Sequence, residues 1–547
     1  MFVTFKTNRF CMLLSRNQFS RRLYLFGMLI LVASLPSSPY FTSIGQWIMA
    51  LGWVIDNPHQ KLKKLVSDKS VLFFLILYCL HVISLLWSNN FEYAFHDLKI
   101  KLPLLILPIL IATSEPLNKK ELKLVFGVFI AAIFSVSVYG IAKNLLLTSG
   151  TLSDHRKLSP FISHIRFALM QNFVLVLLWF IIWDQQLVKE KWIKVLVFTL
   201  AIILIMMIVV MKTLSGVVVL ACLFGLFVFH LLRQLKSIVF KWTILVFSVS
   251  FMFLAVNYFA KSYARYKYQH PYNFSDLPKT TINGNPYTHD TLNLSWENGH
   301  PVNLFICESE LQSEWNKRSS IYYDSLITKD SEKINRLITF LASKGLTKDS
   351  AGVAALTQKE IRAIENGFSS VIYLEEFSFY PRLHELFREI DLYKKERNPN
   401  GKSIIQRLYY LEAGWKIFRE NLWFGVGVGD IKDAYSDYYE RVQSPLIPEK
   451  RLRAHNQFLT FLVTFGIVGF IFIMFSQFAP IVQTSKKRKV SDLFLVFFFI
   501  GIVSMLNEDT LETQAGVTFY SFFYALLLWG IADNRDHNKL PETSIKT

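Results

Sequence analysis

Residues 191–211 read KWIKVLVFTLAIILIMMIVVM, a run that is apolar without interruption after Lys194 apart from Thr199. At about 1.5 Å per residue, a helix of about 20 such residues crosses the roughly 30 Å hydrocarbon core of a bilayer. Working outward, similar runs occupy 121–143, 164–184, 214–232 and 238–259, and nearer the ends 22–36, 40–55, 70–87, 98–113, 456–482, 491–506 and 514–532. The fold expected is therefore an all-α polytopic membrane protein with about twelve transmembrane helices. The run 98–113 is the weakest of them, because Pro103 and Pro108 interrupt it and Lys99 and Lys101 stand at its start. A signal-peptide reading of the basic N-terminus (Arg16, Arg21, Arg22) is set aside. No small-residue cleavage site follows the first run, and a second begins at once.

The composition agrees. Of 547 residues, 52% are hydrophobic and only 18% charged, against about 45–50% and 25% in soluble domains. That excludes a soluble enzyme, a secreted disulfide scaffold and a disordered chain. The net charge of +18 would suggest a nucleic-acid partner in a soluble protein. In a membrane protein the positions of the charges matter more than their sum, and no nucleic acid is expected. Basic clusters fall at alternate turns: Lys61–Lys64, Lys119–Lys120, Lys189–Lys194, Arg233–Lys236 and Lys486–Lys489. The intervening loops, such as Ser88–Phe95 and Asn507–Glu512, are poor in Lys and Arg. The positive-inside rule then places both termini in the cytoplasm of a bacterial inner-membrane protein. The four cysteines form no CxxC pair and no metal-ligand spacing.

Four regions follow: 1–259 with helices one to nine, 260–455 as a large extracytoplasmic segment, 456–535 with helices ten to twelve, and a tail at 536–547. The polar segment is not low-complexity. Ile334, Leu337, Ile338 and Leu341 keep helical spacing before Gly345. Thr357 to Glu360 is a capping box opening a helix that Gly367 closes. Pro381 begins another, with Leu383, Leu386, Phe387 and Ile390 on one side. The segment is expected to be mainly helical, with irregular loops over Gln269–Asn303.

Chemistry concentrates after this segment. A helix over about 404–421 precedes Gly425-Val-Gly427-Val-Gly429-Asp430. Lacking a preceding strand and the G-x-G-x-x-G spacing, this is no dinucleotide site; taken alone it is a tight turn ending a helix. Next come Arg451, Arg453 and His455-Asn456 at the boundary of the tenth span, where a lone His is more often a cap than a catalyst. However, His455-Asn456, nine residues, and then Gly466-Ile-Val-Gly469 resembles the H-[NSQ]-x9-G-x-x-G pattern of the O-antigen ligase family. Arg407, eighteen residues before Gly425, is similar to that family's arginine opening a periplasmic helix ahead of G-x-G (Gly425, Gly427). The span count and the large outer loop between helices nine and ten complete a C-type glycosyltransferase-like likeness.

The resemblance implies transfer of a glycan from undecaprenyl pyrophosphate to a sugar hydroxyl of lipid A–core, at the periplasmic face of the membrane. It implies neither metal nor cofactor, and inversion at the anomeric carbon. His455 would be the base and Arg407 would bind donor pyrophosphate, since arginine meets phosphate through paired hydrogen bonds. Arg166, in Ser163-His-Ile-Arg166, matches a second phosphate-binding arginine, with an interfacial snorkelling arginine the equal alternative. The family's Ser-Arg at the eighth span is Ser215-Gly216 here; Lys212, four residues earlier, would share a helix face with position 216 and supply the charge. Asn456, Gly466 and Gly469 support the motif. Two near alternatives use the same donor: a Wzy-type O-antigen polymerase and a protein O-oligosaccharyltransferase. A transporter is disfavoured, because the spans carry almost no midplane charge. Lys99 and Lys101 either mark the inside of the bundle or snorkel, and snorkelling is preferred; Glu512 either orients a basic partner or is a solvated loop carboxylate, and the latter is preferred. Tyr409, Tyr410, Trp415, Tyr435, Tyr438 and Tyr439 could stack on sugars, with core packing taking the greater share.

Overall fold

The computed structural model describes residues 2–147, 158–183, 190–211, 213–326, 336–375 and 378–532. It is an all-α polytopic membrane protein apart from one two-stranded hairpin among the described residues. The expected twelve spans are corrected: seven described helices are long and apolar enough to cross a bilayer. These are Lys69–Trp87, Lys119–Lys143, His164–Ile182, Lys191–Val210, Ser215–Gln234, Ile238–Lys267 and Gln457–Lys487.

Four of the other five runs are broken or too short for that. Proline cannot donate to a helix ladder, and run 98–113 divides at Pro103 into Phe91–Lys101 and Pro103–Thr113, 11 residues each. Asp492–Asn507 and Gln514–Leu528 have 16 and 15 residues, about 24 and 22 Å of helix at 1.5 Å per residue, short of the roughly 30 Å core. Every residue from Gly516 to Leu528 is buried, so that helix is apolar all round because protein surrounds it. Run 22–36 lies in Phe2–Ser34, and run 40–55 forms the 17-residue Pro39–Ile55. The two helices press backbone to backbone: a Cβ on Gly27 would stand 2.6 Å from the Met49 nitrogen, and one on Gly45 2.6 Å from that of Leu31.

The chain divides into two compact units. The first comprises residues 1–141, 156–224 and 398–547; the second comprises 142–155 and 225–397. In the first, helix Ser403–Glu420 packs on Gln457–Lys487, and Gln514–Leu528 on Pro103–Thr113. In the second unit helix Ile238–Lys267 packs on Tyr380–Glu396, and short helices surround a core of Leu311, Trp315, Leu337, Phe340, Leu341 and Ile361, all fully buried. Here the local reading of the sequence is found: helix Arg336–Ser343, the capping box at Thr357 and Glu360, and a helix Tyr380–Glu396 with proline in its first turn. Ile334 and the tail 536–547 lie outside the described residues. The stretch expected to be irregular contains the hairpin Trp296–Glu297/His300–Pro301.

Candidate functional site

The site in the first unit begins with two glycine motifs that hold each other. Gly466 has φ 63 and ψ −170 within helix Gln457–Lys487, a conformation essentially confined to glycine, and it kinks the helix there. The freed groups pair with the glycine turn. Val426 and Gly427 N–H donate to the carbonyls of Val463 and Thr464, both at 2.9 Å. In return Ile467 and Val468 N–H donate to Leu422 and Trp423, at 2.8 and 3.2 Å. A Cβ on Gly425 would lie 2.4 Å from the Thr464 carbonyl carbon, and one on Gly466 2.3 Å from that of Trp423. Asp430, at the end of the turn, accepts from the backbone N–H groups of Asn89 and Asn90.

This interlock sets the helix start. Asn456 caps Gln457–Lys487, accepting from Leu459 N–H at 3.0 Å, and donates to the Leu506 carbonyl at 2.9 Å. His455, one residue earlier, sits at φ 49, left-handed backbone that is uncommon outside glycine. Its ring centroid is 5.6 Å from that of Tyr410. His455 Nδ1 lies 3.4 Å from Glu508 Oε2, while Arg407 Nη2 donates to Glu508 Oε1 at 2.5 Å. Arg407 also reaches the Asn507 carbonyl at 3.3 Å. Arg166 Nη2 donates to the carbonyl of Asp509 at 2.9 Å, and its buried Nε has no partner. One short loop thus gathers an imidazole and two guanidinium groups.

Glu508 is the residue missed from sequence. Its side chain is 2% exposed, whereas those of Arg407 and His455 keep 36% and 32%, so the carboxylate lies beneath and the basic groups face outward. Burial pushes its carboxyl up, but the hydrogen bond from His455 and the charges of Arg407, His455 and Arg166 outweigh it and hold it below the ordinary carboxylate range. The neighbouring Asp509, which accepts from Thr460 Oγ1 at 2.7 Å, is raised, chiefly by burial. The only signal in the sequence was the density of acids in Asn507–Glu512.

Two readings are corrected. Lys101 does not snorkel: its side chain is 3% exposed, pairing with Asp97 at 2.6 Å and Glu512 at 2.9 Å. Glu512 is no solvated carboxylate: it is 5% exposed and also binds Arg453 at 2.9 Å and Gln457 at 2.9 Å. Burial raises its carboxyl, but Lys101 and Arg453 pull it far below the usual range. This pairing ties the 508–512 loop to the start of helix Gln457–Lys487. Of the aromatic residues, Tyr410, Tyr435 and Tyr439 are core, Tyr409 and Tyr438 pack partly against it, and Trp415 is exposed. Lys212 lies outside the described residues. At Gly216 a Cβ would meet Thr213 Oγ1 at 2.4 Å and Ala168 Cβ at 2.8 Å, so the position is crowded. Gly469 faces the Phe465 side chain, with a Cβ there 2.4 Å from Phe465 Cβ.

Fold and site together define a multi-pass helical membrane protein with a basic, carboxylate-backed cluster at a helix boundary. The O-antigen ligase family model matches residues 363–474, which include Arg407, the glycine turn, His455, Asn456, Gly466 and Gly469. This part of the chain is therefore similar to the O-antigen ligase family. No curated protein matches the sequence.

Proposed function

We propose that the protein is a membrane glycosyltransferase of the O-antigen ligase type. It moves a glycan from undecaprenyl pyrophosphate to a sugar hydroxyl of lipid A–core at the periplasmic face of the inner membrane. The observation that carries this reading is the convergence of His455 and Arg407 on Glu508, with Arg166 bound to the next residue. A sugar hydroxyl is a poor nucleophile and needs a base. With Nδ1–H directed at Glu508, the other ring nitrogen of His455 keeps its lone pair for the acceptor proton. Attack on the anomeric carbon breaks its bond to the pyrophosphate oxygen and inverts the configuration. The departing pyrophosphate gains charge, which Arg407 and Arg166 stabilise through their remaining N–H groups.

His455→Ala and Arg407→Ala should each leave a folded, membrane-inserted protein that transfers no glycan. Lipopolysaccharide still capped with full-length polymer in either mutant strain would refute the assignment. In proteoliposomes supplied with lipid-linked polymer, extension of lipid A–core identifies a ligase. Extension of a second lipid-linked unit instead identifies a polymerase, and extension of a protein an O-oligosaccharyltransferase.

A further inference from the structure

The second unit has its own cavity, of about 560 Å³, within the roughly 300–1,000 Å³ range of small-ligand sites. It is walled by the hairpin, by helix Tyr380–Glu396 and by the end of Ile238–Lys267. The hairpin is sharply specified. Asn298 and Gly299 have φ 49 and 83, as a type I′ turn requires. Asn298 Nδ2 donates to the Ser343 carbonyl at 2.9 Å, and the Gly299 carbonyl accepts from His270 N–H at 2.8 Å. Glu297 and half-buried Trp296 are thereby fixed in the cavity wall.

Glu297 is the anomaly. It is 4% exposed, yet its Oε1 has no hydrogen-bond partner. The nearest cationic groups stand off, His384 Nε2 at 3.7 Å from Oε1 and Arg388 Nη1 at 3.9 Å from Oε2. Burial, with Arg388 and Arg265 nearby, lowers His384 to about 3, so its imidazole is neutral and gives Glu297 no charge. Burial raises the Glu297 carboxyl against the pull of Arg388 and a hydrogen bond from Ser370, and its buried, unpaired Oε1 calls for a hydrogen-bond partner from elsewhere. Around it the wall mixes signs: Lys267, Arg388 and Lys395 with Glu297 and Asp391. Phosphate would meet the carboxylates, and a free cation the three basic groups.

We propose that this cavity is a saccharide-binding subsite. A pyranose packs its C–H face on Trp296, donates a hydroxyl to Glu297 Oε1 and accepts from Arg388. A neutral polyhydroxylated ring supplies donors, acceptors and an apolar face at once. That the bound sugar belongs to the glycan being transferred rests on the proposed transferase activity; the subsite itself does not.

The test uses purified full-length protein in detergent, with two probes: the core oligosaccharide and the polysaccharide released by mild acid from lipopolysaccharide. Saturation-transfer NMR should detect binding of at least one. The isosteric Glu297→Gln and the exposed Lys317→Ala, outside the cavity, guard against misfolding, and Trp296→Ala removes the platform. Glu297→Gln and Trp296→Ala should each raise Kd about tenfold or more, a 1.4 kcal/mol change; Lys317→Ala should leave it unchanged. His455→Ala should bind as the parent does while transferring nothing. Binding of neither probe, or binding unaltered by both Glu297→Gln and Trp296→Ala, overturns the subsite. Binding by a protein that transfers no glycan in proteoliposomes would instead sink the transferase reading and leave the subsite standing.

Discussion

His455 owes its geometry to a residue 53 positions later in the chain. Glu508 accepts from Arg407 and faces His455 Nδ1, so it orients the base without itself needing to touch the sugar. Glu508→Gln keeps the shape but makes the acceptor half a donor, and the ring loses the charge that fixes its tautomer. We expect kcat for glycan transfer to fall about 10–100-fold, as for other orienting partners, with KM for the donor nearly unchanged; steady-state assays in proteoliposomes would check this. An unaltered kcat would make Glu508 a structural ion-pair partner only. The sign of its pH dependence follows from its lowered carboxyl. A depressed folded pKa means the pairing contributes above the ordinary carboxylate value of about 4.3 and fades as pH falls below it. His455 and Arg407 were singled out in the sequence because each stands at a fixed spacing from glycines, and the structure brings both to Glu508. Glu508 was not, since its partners lie about 50 and 100 residues upstream and the acids clustered in Asn507–Glu512 do not single it out. Lys101 and Glu512 were misread for the same reason: a charge beside an apolar run looks solvated until a partner 411 residues away is seen.

At the scale of elements, the kink of helix Gln457–Lys487 and the turn after Ser403–Glu420 form one joint. Four backbone hydrogen bonds cross it, and neither Gly425 nor Gly466 can gain a Cβ without entering the backbone of the facing segment, Thr464–Phe465 or Trp423–Phe424. Gly466→Ala should therefore cost at least about 3 kcal/mol, from the forbidden φ/ψ and the clash together. It would appear as a large drop in Tm by fluorescence-detected gel filtration in detergent. Gly127→Ala, where nothing lies within 4 Å of the added Cβ, should be neutral or slightly stabilising. Equal loss in both would mean that the joint is not what holds the helix. The spacing of the two glycines was visible in the sequence, but their mutual contact was not. Span number was misjudged because hydropathy records apolarity and not its cause. The Gln514–Leu528 sequence is what a buried helix needs, whereas the weakness of run 98–113 was visible in Pro103, where the helix divides.

Across the whole molecule, the second unit has polar pins of its own. Glu310 accepts from Thr281, Asn285, Asn283 and Ser350, binding the loop before it and the helix start after it. Burial raises its carboxyl, but the hydrogen bonds from Ser350, Thr281 and Asn285 bring it down to about 2. Its stabilisation is therefore complete above about pH 4.3 and lost as pH falls toward 2. Lys348 behaves in the opposite sense. It is 2% exposed, donates to the Pro301 carbonyl at 2.8 Å, and burial lowers its ammonium to about 8. Between about pH 8 and the ordinary lysine value near 10.4, the unfolded chain binds the extra proton, so stability rises with pH through that window. Hydrogen exchange of the full-length protein, corrected for intrinsic rates, should show protection of residues 336–356 increasing from pH 8 to 10. In Lys348→Met no ammonium remains to be discharged, and that slope should disappear while protection in Gln514–Leu528 stays as it was. A slope surviving the substitution would move the titrating group elsewhere in the second unit and remove Lys348 from the argument.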